Sequence, residues 1–258
     1  MATIPVRGAV LRGIDEGPRD APAIIFSNSL GCSLEMWDAQ AQALLGTFRI
    51  IRYDNRGHGQ SSIADRPTSI AEFADDALAV LDHFGVERAH WCGLSLGGMI
   101  GQVLAARKPQ RLDKVVLANT TSYYSDPSFW RQRIAAVRSK GLLSIADAVL
   151  AGWLTEGFRS GYPAVAEQMR AMFLATPQQG YIAACDAIAQ LDNRDLLPLI
   201  RRPTRVIAGR SDRSTPLSAA EAIVNHVPDA ELSVLDAAHI SNVEQSGAFT
   251  RVLEEFFA

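Results

Sequence analysis

Three cysteines in 258 residues, Cys32, Cys92 and Cys185, are too few and too widely spaced for a disulfide framework or a thiolate metal site. A surplus of positive charge is missing too. Lys and Arg number 25 against 28 Asp and Glu, and the net charge of -3 gives no electrostatic case for nucleic acid or an anionic membrane as partner. No apolar run approaches the roughly 20 residues of a membrane span. The start, MATIPVRGAV, lacks the basic and apolar regions of a secretory signal, so the cytoplasm is the expected compartment. Internal repeats and low-complexity segments are absent.

What remains is a soluble globular pattern with a legible order. AIIFS (23–27), FRIIRYD (48–54), AHWCGL (89–94) and KVVLAN (114–119) read as strands alternating with helices, the signature of a mostly parallel sheet flanked by helices. Between the second and third, Ile70, Phe73, Ala74, Ala77, Leu78, Leu81 and Phe84 recur at helical spacing, with Ser69 placed to cap the start and Gly85 the end. A short strand pair is expected before Pro22. From about Thr121 to Asp195 four helical stretches follow without a strand: 129–139, 142–153, 162–174 and 181–191. Alternation then resumes with TRVIAG (204–209), a helix near 218–227, ELSVLD (231–236) and a last helix after Gln245. The expected organisation is an α/β core of residues 1–120 and 196–258 with a helical cap, 121–195, inserted between two strands. Insertions over a sheet commonly carry selectivity.

GLSLGG (93–98) stands where a strand meets a helix. Glycines two residues either side of Ser95 suit a tight, strained turn that presents a nucleophile, with the next helix aiming its amides at developing negative charge. A serine hydroxyl needs a base, and the base an orienting acid, in the chain order serine, acid, histidine. Of five histidines, His239 in DAAHISNVEQ follows a strand and precedes the last helix, the expected place for the base. His226 reads as a solvated helix residue. Asp212, just past TRVIAG, is the expected acid, and Asp236 its rival. An oxyanion needs two amide donors, expected from Leu96 and from Leu30 in SNSLG. Ser33 is also placed to cap a helix beginning near Leu34. YDNRGHGQSS (53–62) lacks the lysine and spacing of a phosphate loop and reads as a turn braced by Arg56 and His58. Cys92 reads as strand packing.

Together these runs resemble the α/β-hydrolase fold family over essentially the whole chain. SNSLG (27–31), YDNRGHG (53–59), CGLSLGGMIGQ (92–102), IADAVL (145–150), ATPQQGY (175–181) and DAAHISNVEQ (236–245) more narrowly resemble the 3-oxoadipate enol-lactonases. The resemblance implies a cofactor- and metal-independent serine hydrolase with Ser95, Asp212 and His239 as triad. Its substrate would be a small acidic enol-lactone, opened through an acyl-enzyme in aromatic catabolism. Two features depart from the family: TTSYYSDPSFWRQR (120–133) is bulkier where the cap begins, and the N-terminal strand pair looks shortened. Trp130 and Arg133 are three apart and share a helix face, placing an apolar wall and a cation over the substrate; alternatively, Arg133 is solvated like Arg131 and Arg138. The rival functions are a general carboxylesterase, a cofactor-free perhydrolase or haloperoxidase, and a non-catalytic binding protein of the same fold. Oligomeric state is not legible.

Overall fold

The computed structural model describes residues 1–64 and 68–258. Eight strands form one sheet in the order β1-β2-β4-β3-β5-β6-β7-β8: β1 Ala2–Val6, β2 Ala9–Glu16, β3 Ala23–Ser27, β4 Arg49–Tyr53, β5 Ala89–Leu94, β6 Leu112–Ala118, β7 Thr204–Gly209 and β8 Glu231–Leu235. β1 and β2 form an antiparallel margin against β4, and every other pairing is parallel. β3 and β5 are buried at every position, which explains why their sequences show no polar alternation and carry only Ser27 and His90 among apolar residues: strands covered on both faces have no solvent side to mark. The expected N-terminal strand pair is present, its strands five and eight residues long.

The helices are α1 Asp38–Leu44, α2 Ile70–His83, α3 Leu96–Arg107, α4 Ser128–Lys140, α5 Ala146–Trp153, α6 Glu156–Gly161, α7 Pro163–Leu174, α8 Gln178–Ala189, α9 Leu217–His226, α10 Ser241–Glu244 and α11 Ser246–Phe257. α2 begins as its sequence dictates. The Ser69 hydroxyl accepts the Glu72 N–H and Glu72 reaches back to the Ser69 N–H, a reciprocal capping box, and Gly85 follows in the left-handed region. Ser33 does not cap the turn at Leu34 (a 3₁₀ turn, Leu34–Trp37): its hydroxyl bonds Glu35, and Asp54 from the end of β4 takes the Leu34 N–H at 2.7 Å.

Between β6 and β7 the elements are α4 to α8 and two 3₁₀ turns, Leu142–Ile145 and Arg194–Leu199. The ends of this segment meet. Tyr123 and Asp192 form an antiparallel bridge, and the Asn193 N–H donates to the Ser122 carbonyl at 2.8 Å. Both ends are pinned to α3: Gln102 donates to the Thr121 carbonyl, and Asn193 donates to the Met99 carbonyl and the Gln102 side chain, each at 3.1 Å.

The chain runs from β3 to β4 on one side and returns through α2 to β5 on the other. The crevice at the carboxyl ends of β3 and β5 is therefore a topological switch point, where open α/β sheets bind ligands. SNSLG and Ser95 both lie there.

Candidate active site

Ser95 sits between β5 and α3 at φ 57° and ψ -109°, a strained conformation for a residue with a side chain. The flanking glycines follow from close backbone packing. A Cβ on Gly93 would collide with the Gly97 carbonyl, and one on Gly97 would collide with the Ser27 carbonyl of β3. The turn is held by the Ser95 N–H donating to the Ala118 carbonyl at 2.9 Å and by the Thr120 hydroxyl donating to the Ser95 carbonyl at 2.8 Å. Strain at Ser95 is thus sustained by neighbours on three strands.

Across the crevice, His239 Nδ1 lies 2.8 Å from Asp212 Oδ2. Asp212 collects further donors: Asn119 Nδ2 at 3.0 Å, the Thr215 hydroxyl at 2.8 Å and the amides of Ser214 and Thr215 at 2.8 and 3.0 Å. Burial alone would raise this carboxyl. The His239 charge and the bonds from His239, Asn119 and Thr215 outweigh it, holding Asp212 at about 2. An ionised Asp212 makes Nδ1 the donor, which leaves Nε2 of a neutral ring as the acceptor facing away from the acid. Asp236 is exposed and, among the described residues, contributes only a carbonyl, to Gln245.

Asn119 is a residue that sequence reasoning missed. At φ 43° it ends β6, donates to Asp212 and to the Ala238 carbonyl at 3.2 Å, and accepts the Ser241 hydroxyl at 2.5 Å. The final Asn of KVVLAN, beyond an apolar strand, was the only available hint.

The loop after β3 is fixed by Asn28. Its side chain donates to the Tyr53 carbonyl at 2.9 Å and accepts from Trp37 Nε1 at 3.0 Å, while its carbonyl takes the Gly97 N–H at 3.1 Å. This ties SNSLG to the first turn of α3. The amides of Leu30 and Leu96 hydrogen-bond to nothing among the described residues.

Ser95, His239, Leu30, Ser29 and Ser214 line one cavity from the sheet side. Its other wall is Tyr124, Trp130, Arg133, Val149, Trp153 and Tyr181 from the segment between β6 and β7. Arg133 is half-buried, unlike the exposed Arg131 and Arg138. Its Nη1 donates to the Tyr181 hydroxyl at 3.3 Å, and its guanidinium lies over the Phe129 and Trp130 rings at 4.6 and 5.4 Å. Among the described residues no carboxylate pairs with it.

The other candidates lie elsewhere. His226 is exposed, and the Cys92 thiol is buried and pushed well above its ordinary range by burial. Arg56 forms a buried pair with Asp76 of α2, 2.6 Å at both oxygens, and His58 is buried with Nδ1 3.1 Å from the Arg56 carbonyl. Among the described residues no cluster of three His, Cys, Asp or Glu could hold a metal, and no helix is long and apolar enough to cross a membrane.

Comparison with known proteins agrees with this architecture. The chain is 37% identical over 252 residues to 3-oxoadipate enol-lactonase 2 of Acinetobacter baylyi, covering 98% of this chain and 94% of that one. It is 30% identical to RutD of Stutzerimonas stutzeri, provisionally named a carbamate hydrolase, over 93% and 92% of the two chains. The crystal structure of the enol-lactonase from Burkholderia xenovorans LB400 superposes with a TM-score of 0.97 at 37% identity, covering 99% of each chain. A model of the alpha/beta hydrolase fold matches residues 22–246, and the chain belongs to that family.

Proposed function

We propose that the protein is a serine hydrolase that opens 3-oxoadipate enol-lactone, a small acidic lactone, to 3-oxoadipate. Ser95 is the nucleophile, His239 the base and Asp212 the orienting acid. The observation that carries this reading is one cavity uniting Ser95, His239 braced on Asp212, and the cation Arg133, which no carboxylate pairs with among the described residues. Residues 1–120 and 196–258 act as the catalytic core and 121–195 as its cap, whose Trp130 and Arg133 cover the substrate.

His239 Nε2 takes the Ser95 proton as Oγ attacks the lactone carbonyl. The oxyanion is received by the free amides of Leu30 and Leu96, aided by the positive end of α3. Collapse breaks the ring C–O bond and releases an enol oxygen, which takes up the proton. That leaving group stays tethered to the acyl-enzyme and tautomerises to a ketone. Water, deprotonated by His239, then adds to the acyl carbon; Ser95 leaves with the proton restored, and 3-oxoadipate departs.

The test is a panel of the enol-lactone, a neutral lactone, p-nitrophenyl acetate and a small carbamate, with wild type and Ser95→Ala. The acidic lactone should give the highest kcat/KM. Ser95→Ala should abolish turnover, by analogy with a loss of roughly a million-fold in kcat in a related triad. Preference for the neutral esters would make the protein a general carboxylesterase. Retained activity in Ser95→Ala would overturn the mechanism.

A further inference from the structure

The run HISNVEQ does not end its work at His239. Five residues on, Glu244 closes α10 in a buried position. No Lys or Arg pairs with it among the described residues; four donor contacts from two residues surround it instead. The Ala238 N–H reaches Oε2 at 2.9 Å, the Thr155 N–H reaches both oxygens at 3.3 and 3.4 Å, and the Thr155 hydroxyl donates to Oε1. That hydroxyl also accepts the Phe158 N–H at 3.2 Å, capping α6. A carboxylate accepts on both oxygens, whereas a glutamine would turn two N–H donors towards this ring of donors.

Ala238 immediately precedes His239. Immediately after it, the Ile240 N–H donates to the Trp153 carbonyl at 2.9 Å, and the Trp153 side chain lines the cavity over Ser95. The peptides on both sides of the histidine are therefore tied to Trp153–Thr155, on the far wall of the site.

We propose that Glu244 is a positioning residue that couples the cap to His239, so that the base is in register with Ser95 only when Trp153–Thr155 is seated. The proposal rests on the serine-hydrolase reading above. Small misplacements of a reacting group are costly, about 100-fold for 1 Å.

The experiment compares wild type, Glu244→Gln and Thr155→Val by p-nitrophenyl acetate kinetics, by the rate of Ser95 modification with a fluorophosphonate, and by the downfield imidazole N–H proton resonance. Glu244→Gln should lower kcat and the modification rate about 10-fold with KM unchanged, and broaden the resonance. Thr155→Val, altered only on the cap side, should produce the same split, and it decides the matter if Glu244→Gln does not fold. Folded variants with wild-type kcat, modification rate and resonance would overturn the coupling. A wild-type chain that the probe leaves unmodified would instead sink the serine-hydrolase reading, and the coupling with it.

Discussion

Asp212 is proposed as the acid on the strength of its partners. Five donors converge on Asp212, while Asp236 is exposed and its side chain makes no bond among the described residues. Asp212→Asn keeps the shape but reverses the tautomer preference of His239, and should lower kcat by about 10⁴-fold on the precedent of a protease triad. Asp236→Asn should stay near wild type, and the two rates measured side by side check the assignment. His58 gives a prediction of another kind. Burial pushes it down to about 4, partly opposed by its bond to the Arg56 carbonyl, against about 6.5 in an unfolded chain. Between those values the unfolded state binds the extra proton. Its stabilising contribution is thus complete above about 6.5 and is lost as pH falls through about 4. Urea unfolding at pH 7 and pH 4.5 should show a stability drop that His58→Gln reduces by about 2–3 kcal/mol.

Elements were legible where their cause is local. Ser69 and Glu72 lie three residues apart, and the sequence alone announces the start of α2; Ser69→Ala should cost about 1 kcal/mol by chemical unfolding. The turn at Ser95 was equally plain from its glycine spacing: Gly93 answers to the Gly97 backbone in the same crossing, although Gly97 answers to Ser27 on the neighbouring β3. Most strands were found to within two residues for the same reason. Features that depend on distant partners were not legible. The turn at Leu34 is capped by Asp54, which no local pattern links to it. Helix α6, short and glycine-containing, has no apolar period and is fixed by Thr155 and, through it, Glu244. Asn119 is visible only once β6 and β7 lie side by side.

At the scale of the whole molecule, one wall of the site comes from the sheet and the other from the helices between β6 and β7. The sheet side holds the groups proposed for bond-making, and the helical side holds Arg133. The contribution of Arg133 to discrimination can then be measured apart from the chemistry. A charge-assisted hydrogen bond contributes about 1.5–3 kcal/mol. Arg133→Met should therefore reduce kcat/KM on the acidic lactone by roughly 10- to 150-fold and leave p-nitrophenyl acetate almost unaffected. Equal losses on both would mark the arginine as structural.

The bridge between Tyr123 and Asp192 bears on how such a molecule can change. Because the helical excursion leaves and rejoins the sheet at adjacent points, the β6–β7 pairing does not depend on how long it is or what it contains. Doubling such a loop costs only about 0.6 kcal/mol in closure entropy. The whole excursion is therefore a graftable cassette. Exchanging residues 124–191 for the corresponding helices of another hydrolase would alter which molecules are admitted, provided the graft keeps the backbone carbonyl at 153 and the donors at 155 that meet Ile240 and Glu244.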